Sequence, residues 1–205
     1  MLKIEPDYLD MLTQALDDAI ITYKKSLNEP TENFALLRMC FIHNFAEDIW
    51  LLNDLQANSS AYRRTIYLVL RNMVEQLIEF LYLQKNTQYI DEYLGLKIDY
   101  NSFVNEQNIT KMAKLFGQKR YKNTRPKIID MAQDIRGDIP LNDYLDLYDL
   151  YSILSESCHN SYYESLLNDY DNAVQNNKDF GPSNNQKLIV RILINLVLQE
   201  FPSID

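Results

Sequence analysis

The sequence has few of the residues that build tight turns, metal sites and disulfides. Its 205 residues include only four glycines, six prolines, two cysteines and two histidines. So few glycines and prolines argue against a β-sandwich or barrel, which needs many turns. Cys40 and Cys158 form no C-x-x-C pair. We therefore expect no metal site, no other cofactor and a reduced, cytoplasmic protein.

Long apolar runs and nucleotide-binding motifs are also missing. The most apolar late run, LIVRILINLVL, is short and is interrupted by Arg191 and Asn195, so we expect no membrane span. The chain contains no P-loop, no G-x-G-x-x-G, no H-E-x-x-H and no G-x-S-x-G. These absences argue against the nucleotide-binding and hydrolytic classes that such motifs mark.

Helical periodicity dominates the remaining sequence. Apolar side chains recur every three to four residues through most of the chain, and no strand alternation is evident. We predict an all-α bundle of about six to eight helices, with no sheet. The length suits a single helical domain. Within it we distinguish an N-terminal helical pair (1–58), a central part (61–167) and a closing apolar helix (184–201).

The helix boundaries follow from breaking and capping residues. Breaks at 28–30 and 58–60 separate the first three helices, and the third, at about 61–84, carries the widest apolar arc. Such an arc predicts a central helix that is contacted on several sides. The last helix is apolar nearly all round, so it is either central or part of a homodimer interface. Further helices are predicted at about 88–94, 101–116, 126–135, 142–159 and 184–200.

The charge of the chain is unevenly distributed. The formal net charge is −9, yet residues 107–129 contain no acid and seven basic residues, so the remainder carries −16. The basic segment is a candidate contact for an RNA or DNA backbone. Alternatively, it is a solvated face or docks onto acidic parts of the same chain. The candidate nucleic-acid-binding residues are Lys119, Arg120, Lys122, Arg125 and Lys127.

The sequence YSILSESCHNSYYESL (151–166) contains His159, one of the two histidines. On a helix, Leu147, Leu150 and Leu154 form the core stripe, and His159 belongs to a second stripe at the border of that core. His159 is therefore a candidate acid or base, because its setting can shift its pKa. The alternative is an imidazole that bonds to a neighbouring group and only completes the packing.

Two segments of the chain resemble a poorly characterised bacterial family of all-helical domains. The segments are LRNMVEQLIEFLYL (70–83), with an Arg-x3-Glu motif, and YSILSESCHNS (151–161), with a Tyr-x2-Leu-Ser-x3-His motif. The resemblance covers about residues 61–167. The family is distantly similar to HEPN-type bundles (higher eukaryotes and prokaryotes nucleotide-binding) of phage-defence and toxin loci. The matching residues are Arg71, Glu75, Tyr151, Leu154, Ser155, His159 and Ser161.

The resemblance implies metal-independent RNA cleavage, with His159 as acid or base, Arg71 as phosphate stabiliser and Glu75 as orienting group. However, no arginine precedes His159 at the spacing of HEPN nucleases. Arg71, Arg191 or an arginine of a second subunit would have to replace it. The Arg71–Glu75 pair also has an alternative interpretation, as an i,i+4 pair on a solvated face.

Arg38 and His43 match the R-x4-H spacing of HEPN nucleases literally. Five residues separate side chains by about 140° on a helix, so the two groups do not share a face. Arg38 also falls on the apolar face of its helix. A chance match therefore explains this pair better than a site does.

Two functional hypotheses follow, and the sequence does not decide whether the protein is an enzyme. The first is a HEPN-like RNA-cleaving protein of phage-defence or toxin type. The second is a non-catalytic acidic interaction protein, such as a regulator, inhibitor or antitoxin-like partner of bacterial or phage origin, which binds a basic protein through its acidic surface. A small-molecule-binding bundle is a third alternative that no motif supports.

Overall fold

The computed structural model describes residues 6–55, 63–95, 111, 125–136, 146–158 and 184–202. Within these ranges the chain is helical and contains no strand, which confirms the predicted all-α class. A short 3-10 turn, Thr87–Tyr89, leads into the fourth helix. The described α-helices are α1 (Pro6–Ser26), α2 (Glu32–Leu55), α3 (Arg63–Lys85), α4 (Ile90–Tyr93), α5 (Ile128–Asp134), α6 (Leu147–Cys158) and α7 (Asn184–Glu200).

The turn between α1 and α2 shows why the sequence breaks where it does. Pro6 begins α1, where its missing N–H costs no hydrogen bond. After α1 ends, Asn28 takes a left-handed conformation with φ of 66°, which asparagine tolerates better than most residues. The backbone N–H of Asn28 donates to the Glu32 carboxylate at 2.8 Å. The first turn of α2 therefore holds the end of α1 in place.

Helix α3 lies at the centre of the bundle. It contacts α2, α5, α6 and α7, which confirms the prediction drawn from its wide apolar arc. Burying each large apolar side chain contributes about 1.5–3 kcal/mol, so this helix supplies much of the core. The fully buried side chains of α3 are Ile66, Leu70, Met73, Val74, Leu77, Ile78, Phe80 and Leu83.

An aromatic stack joins α2 and α3 to the end of α7. The rings of Phe41 and Phe80 lie parallel, with centroids 4.0 Å apart. Phe201 stacks on both, at 6.1 Å from Phe41 and 5.8 Å from Phe80. Arg38 then covers Phe201, with its guanidinium carbon 4.3 Å from the ring centroid. The stack fixes the chain directly after α7 against the core.

Helix α7 has the predicted bounds and buries most of its apolar surface within the same chain. It contacts α1 and α3, and Val190, Leu193, Ile194 and Val197 are buried. Its exposed ridge comprises Leu188, Arg191, Asn195 and Gln199. Its packing against α1 and α3 accounts for much of its apolar composition, and a homodimer through it stays a prediction.

Several predicted features lie outside the described residues. These are His159, the basic residues Lys119, Arg120 and Lys122 and, apart from the helical Lys111, the helix at 101–116. The helix predicted to begin at about 142 begins at Leu147 instead, because Asp146 caps it by accepting a hydrogen bond from the backbone N–H of Asp149. The short helices predicted at 88–94 and 126–135 are present as the 3-10 turn with α4 and as α5. No helix among the described ranges is long and apolar enough to cross a membrane.

Candidate functional site

Arg71 connects the two segments that carry the family resemblance. Its Nε donates a hydrogen bond to Ser155 Oγ at 3.0 Å, and its Nη2 donates to Tyr151 Oη at 2.6 Å. The guanidinium carbon also lies 4.9 Å from the centroid of the Tyr151 ring. Because Tyr151 and Ser155 are one turn apart on α6, both hydroxyls meet one guanidinium. The structure therefore places α3 and α6 side by side at these motif residues.

Glu75 lies between two arginines. Its Oε2 is 3.4 Å from Arg71 Nη2, one turn earlier on α3. Its Oε1 accepts a hydrogen bond from Arg125 Nη2 at 2.7 Å. The closer partner is thus Arg125, which is fifty residues further along the chain. The i,i+4 pair exists as the sequence predicts, but it is the weaker of the two ion pairs.

Arg125 extends this chain of charges to a fourth residue, Glu79. The distance from Arg125 Nε to Glu79 Oε1 is 2.9 Å. The Glu79 side chain is only 12% exposed. Burial raises the pKa of Glu79 to about 7; Arg125 opposes this effect and the nearby Glu75 carboxylate adds to it. We call Arg71, Glu75, Glu79 and Arg125 the arginine–glutamate cluster.

Two neutral groups border the cluster on the side of α2 and α4. Burial raises the pKa of Tyr93 to about 12, with additional effects of Glu79 and Cys40, while Arg125 lowers it. Burial also raises the pKa of the Cys40 thiol. Tyr93 and Cys40 therefore both stay protonated at neutral pH, and neither provides a nucleophile there. Tyr93 interacts with Glu79, and Cys40 interacts with Tyr93.

The cluster can bind an anion at its Arg71 end. The Arg71 side chain is 32% exposed, whereas Arg125 is 25% and Glu79 only 12% exposed. A guanidinium flanked by two hydroxyls supplies the planar, charged donors that phosphate groups prefer. The buried end, in contrast, has its charges paired internally. The arrangement therefore offers one accessible cation supported from behind by buried ion pairs.

The structure describes only part of the basic segment, and Arg125 and Lys127 within it differ in their exposure. Lys119, Arg120 and Lys122 lie outside the described residues. Lys127 is exposed just before α5, whereas Arg125 is half-buried in the cluster. The alternative in which this segment docks onto acidic residues of the same chain thus describes Arg125. For Lys119, Arg120 and Lys122, a contact with RNA stays a prediction.

His159 also lies outside the described residues, since the description of α6 ends at Cys158. The neighbouring turns of α6 nevertheless follow the predicted stripes. Leu147, Leu150 and Leu154 are buried, while Tyr151 and Ser155 are half-buried beside them. Ser155, which precedes His159 by four residues, is the one that bonds to Arg71. The catalytic role of His159 stays a prediction.

Arg38 and His43 have separate environments, as the helical angle between them predicts. Arg38 donates to the backbone carbonyl of Glu200 and stacks on Phe201. His43 is 51% exposed, and its Nε2 is 3.9 Å from the Glu47 carboxylate. Arg191, the other arginine considered as a partner for His159, is exposed on α7. Among the described residues, Arg71 is thus the arginine that contacts the motif segment of α6.

The pairing of Glu79 with Arg125 was not predicted from the sequence. A signal was available, because Arg71, Glu75 and Glu79 recur at four-residue spacing on a helix that is otherwise buried. A carboxylate that enters the core requires a cation. Which cation serves it could not be read from periodicity.

Among the described residues, no group of three or more histidine, cysteine, aspartate or glutamate side chains is arranged to hold a metal ion. Comparisons of the chain with protein-family models, curated proteins and solved structures found no match. The candidate site is therefore defined by its own geometry: a partly exposed Arg71 held between two hydroxyls of α6 and the carboxylate of Glu75.

Proposed function

We propose that the protein is a HEPN-like, RNA-cleaving protein of the phage-defence or toxin type, acting in the reduced cytoplasm. One observation carries the proposal: Arg71 of α3 donates hydrogen bonds to Tyr151 and Ser155 of α6. This contact joins the two separate motifs of the family resemblance at one point. The Ser155 that accepts from Arg71 precedes His159 by four residues in the sequence, which supports a role for His159 beside Arg71.

The chemistry would need no metal. His159 would take the proton from a ribose 2′-hydroxyl, whose oxygen forms a bond to the adjacent phosphorus while the bond from phosphorus to the 5′-oxygen breaks. The products would be a 2′,3′-cyclic phosphate and a 5′-hydroxyl that takes its proton from water. Arg71 would stabilise the charge that grows on the phosphate oxygens, and such electrostatic stabilisation is usually the largest contribution to catalysis. Glu75 would orient Arg71, which lies 3.4 Å from it. Lys119, Arg120, Lys122 and Lys127 would attract the RNA backbone.

Cleavage of labelled RNA in excess EDTA tests the proposal. The intact protein should cleave, and His159→Ala should reduce the rate by at least about a hundredfold, the usual contribution of an acid–base group. His43→Ala is the matched control, because His43 is the only other histidine and pairs with Glu47 on an exposed face. Absence of cleavage, or equal rates for the two variants, would contradict the proposal.

A second candidate is the non-catalytic acidic interaction protein. The specific observation in its favour is that Arg71 and Arg125 are both paired with Glu75, and Arg125 with Glu79 as well. Internal pairing leaves the strong negative charge of the rest of the chain to face a basic partner. This candidate predicts a salt-sensitive complex with a basic protein partner, with RNA left intact and the complex unaffected by His159→Ala.

A further inference from the structure

The charges of the arginine–glutamate cluster balance only while both carboxyls are ionised. Arg71 and Arg125 contribute two formal positive charges, and Glu75 and Glu79 contribute two negative ones. A proton on either glutamate therefore leaves one positive charge uncompensated. In a half-buried site such a charge is felt strongly, because the surrounding dielectric constant is low.

The distances indicate how protonation of Glu79 would change the electrostatic potential at Arg71, the exposed end of the cluster. Arg125 is the central cation, 2.7 Å from Glu75 and 2.9 Å from Glu79. When Glu79 is neutral, Glu75 is the one remaining carboxylate of the cluster for Arg125, which already binds it more closely than Arg71 does. Arg71 then loses part of its counter-charge. Its guanidinium, which is one third exposed, has more positive potential to offer an anion.

Glu79 is the group of this neighbourhood that titrates near neutral pH. It faces Glu75 on its own helix, Arg125 from the segment before α5, Tyr93 from α4 and, beyond Tyr93, Cys40 of α2. Burial raises the pKa of Glu79 to about 7 and that of Tyr93 to about 12, and it raises the pKa of Cys40 as well. Between pH 6 and 8 the proton on Glu79 therefore changes while those on Tyr93 and Cys40 remain.

We propose that Glu79 is a positioning residue that sets the affinity of Arg71 for a phosphodiester, which is high when Glu79 is protonated and low when it is ionised. The inference rests on the proposed function in assigning a phosphate group to Arg71. It goes beyond that function by making phosphate binding pH-dependent through a residue that never touches the substrate.

The direct test measures binding of a short 2′-O-methyl RNA, which cannot be cleaved and whose phosphodiester charge is constant from pH 6 to 8. The measurements use a His159→Ala background, so that titration of this histidine does not contribute. If protonation of Glu79 strengthens binding tenfold, a group with a pKa of about 7 shows about half of that factor between pH 6 and pH 8. We therefore expect the affinity to fall about fivefold over this range, equivalent to about 1 kcal/mol. Adding Glu79→Gln should keep the affinity at its high value throughout.

Two further variants complete the set. Glu47→Gln is the matched control, because it removes an exposed carboxylate of α2 that pairs with His43, and it should leave the fivefold fall intact. Arg71→Met should weaken binding at every pH. A flat profile in the protein that carries Glu79, or an unchanged fall after Glu79→Gln, would overturn the inference.

Reciprocal linkage provides a measurement that needs no substitution at Glu79. If its protonation strengthens binding tenfold, saturating 2′-O-methyl RNA must raise the pKa of Glu79 by about 1. The carboxyl carbon signal of Glu79 in NMR titrations reports this directly. Identical titration midpoints with and without the RNA would refute the inference, even if the Glu79→Gln variant failed to fold.

The outcomes also separate the inference from the proposed function. RNA cleavage by the intact protein, together with pH-independent binding, would remove the inference and leave the function. Binding that is gated by Glu79 without any cleavage would support the inference and remove the nuclease. If Arg71→Met bound the RNA as tightly as its parent, both would fail, because Arg71 would not be the phosphate ligand.

Discussion

Arg38 and Arg71 are two half-buried arginines on neighbouring helices, and they differ in the groups that they contact. Arg38 donates to a backbone carbonyl, that of Glu200, and lies on the ring of Phe201. Arg71 contacts the hydroxyls of Tyr151 and Ser155 and the carboxylate of Glu75. Both arginines start from a similar sequence context, on a mostly apolar helix.

The difference shows that the type of partner decides whether a buried cation can respond to its surroundings. The closest partners of Arg38, a backbone carbonyl and a phenylalanine ring, cannot change their charge. Burial lowers the pKa of Arg38, and the Glu200 carboxylate opposes this effect. The partners of Arg71 lead through Glu75 and Arg125 to a carboxyl that titrates near neutrality. Arg38 holds the end of α7, whereas Arg71 is linked through ion pairs to the carboxyl of Glu79.

The strongest way to break the Arg38 region is Phe201→Ala. Phe201 is 7% exposed and stacks on Phe41 and Phe80. Removing its ring leaves a cavity and takes away the surface on which Arg38 lies, so we expect a loss of about 3–4 kcal/mol in the free energy of unfolding. Urea denaturation measures it. A loss below about 1 kcal/mol would mean that the aromatic stack contributes little.

In the Arg71 region, we expect Glu79 to make the free energy of unfolding depend on pH. The pKa of Glu79 is about 7 in the folded protein and about 4.5 in the unfolded chain. Between these values the folded state holds a proton that the unfolded state releases, so stability is full below pH 4.5 and falls as pH rises through 7. The decline is up to about 3 kcal/mol.

Glu79→Gln isolates this contribution, because an amide does not titrate. Relative to the parent protein, the variant should gain stability steadily from pH 5 to pH 8 in urea denaturation. Equal pH profiles for the two proteins would show that Glu79 ionises in the folded state as it does in the unfolded chain. The comparison with Arg38 would then lose its physical basis.

Arg38→Met and Arg71→Met sharpen the comparison directly. The first removes the donor to the Glu200 carbonyl and the cation over Phe201, so we expect a loss of about 2 kcal/mol in stability, with RNA binding unchanged. The second removes the hydrogen bonds to Tyr151 and Ser155 and the longer ion pair with Glu75, so stability should also fall by about 2 kcal/mol, but RNA binding should weaken. If Arg38→Met also weakened binding, the two arginines would not have separate roles.

The smallest effect is expected for His43→Ala. His43 is exposed, and its ion pair with Glu47 is long, at 3.9 Å. Exposed pairs on one helix contribute about 0.3–0.5 kcal/mol, and only while the histidine is protonated. Thermal unfolding should therefore shift by less than about 2 °C for this change. A much larger shift in the unfolding temperature would mean that His43 makes stabilising contacts beyond its pair with Glu47.

Much of the fold follows from the sequence because its determinants are local. The bounds of α7 agree with the prediction at both ends, and the turn at Asn28 lies where breaking residues end the first helix. The buried stripe of α3 matches the apolar arc of its sequence. In each case neighbours within about one helical turn supply the information.

The candidate site follows from the sequence only in part. The pair of Arg71 and Glu75 is local and was predicted, and it lies at 3.4 Å. The contacts of Arg71 with Tyr151 and Ser155 span eighty or more residues and depend on how α6 packs on α3. Periodicity places these side chains at the border of the core, but it carries no information about which helix faces them.

By itself, the sequence determined that the described parts of the chain form helices, that α3 is central, and where α7 begins and ends. These properties depend on 3.6-residue periodicity and on caps, which act over a few residues. Only the tertiary structure decided that Arg125 pairs with Glu75 and Glu79, that Arg71 keeps an exposed end, and that Arg38 serves a backbone carbonyl. Buried carboxylates require cations, but the packing of distant segments selects which cation reaches them.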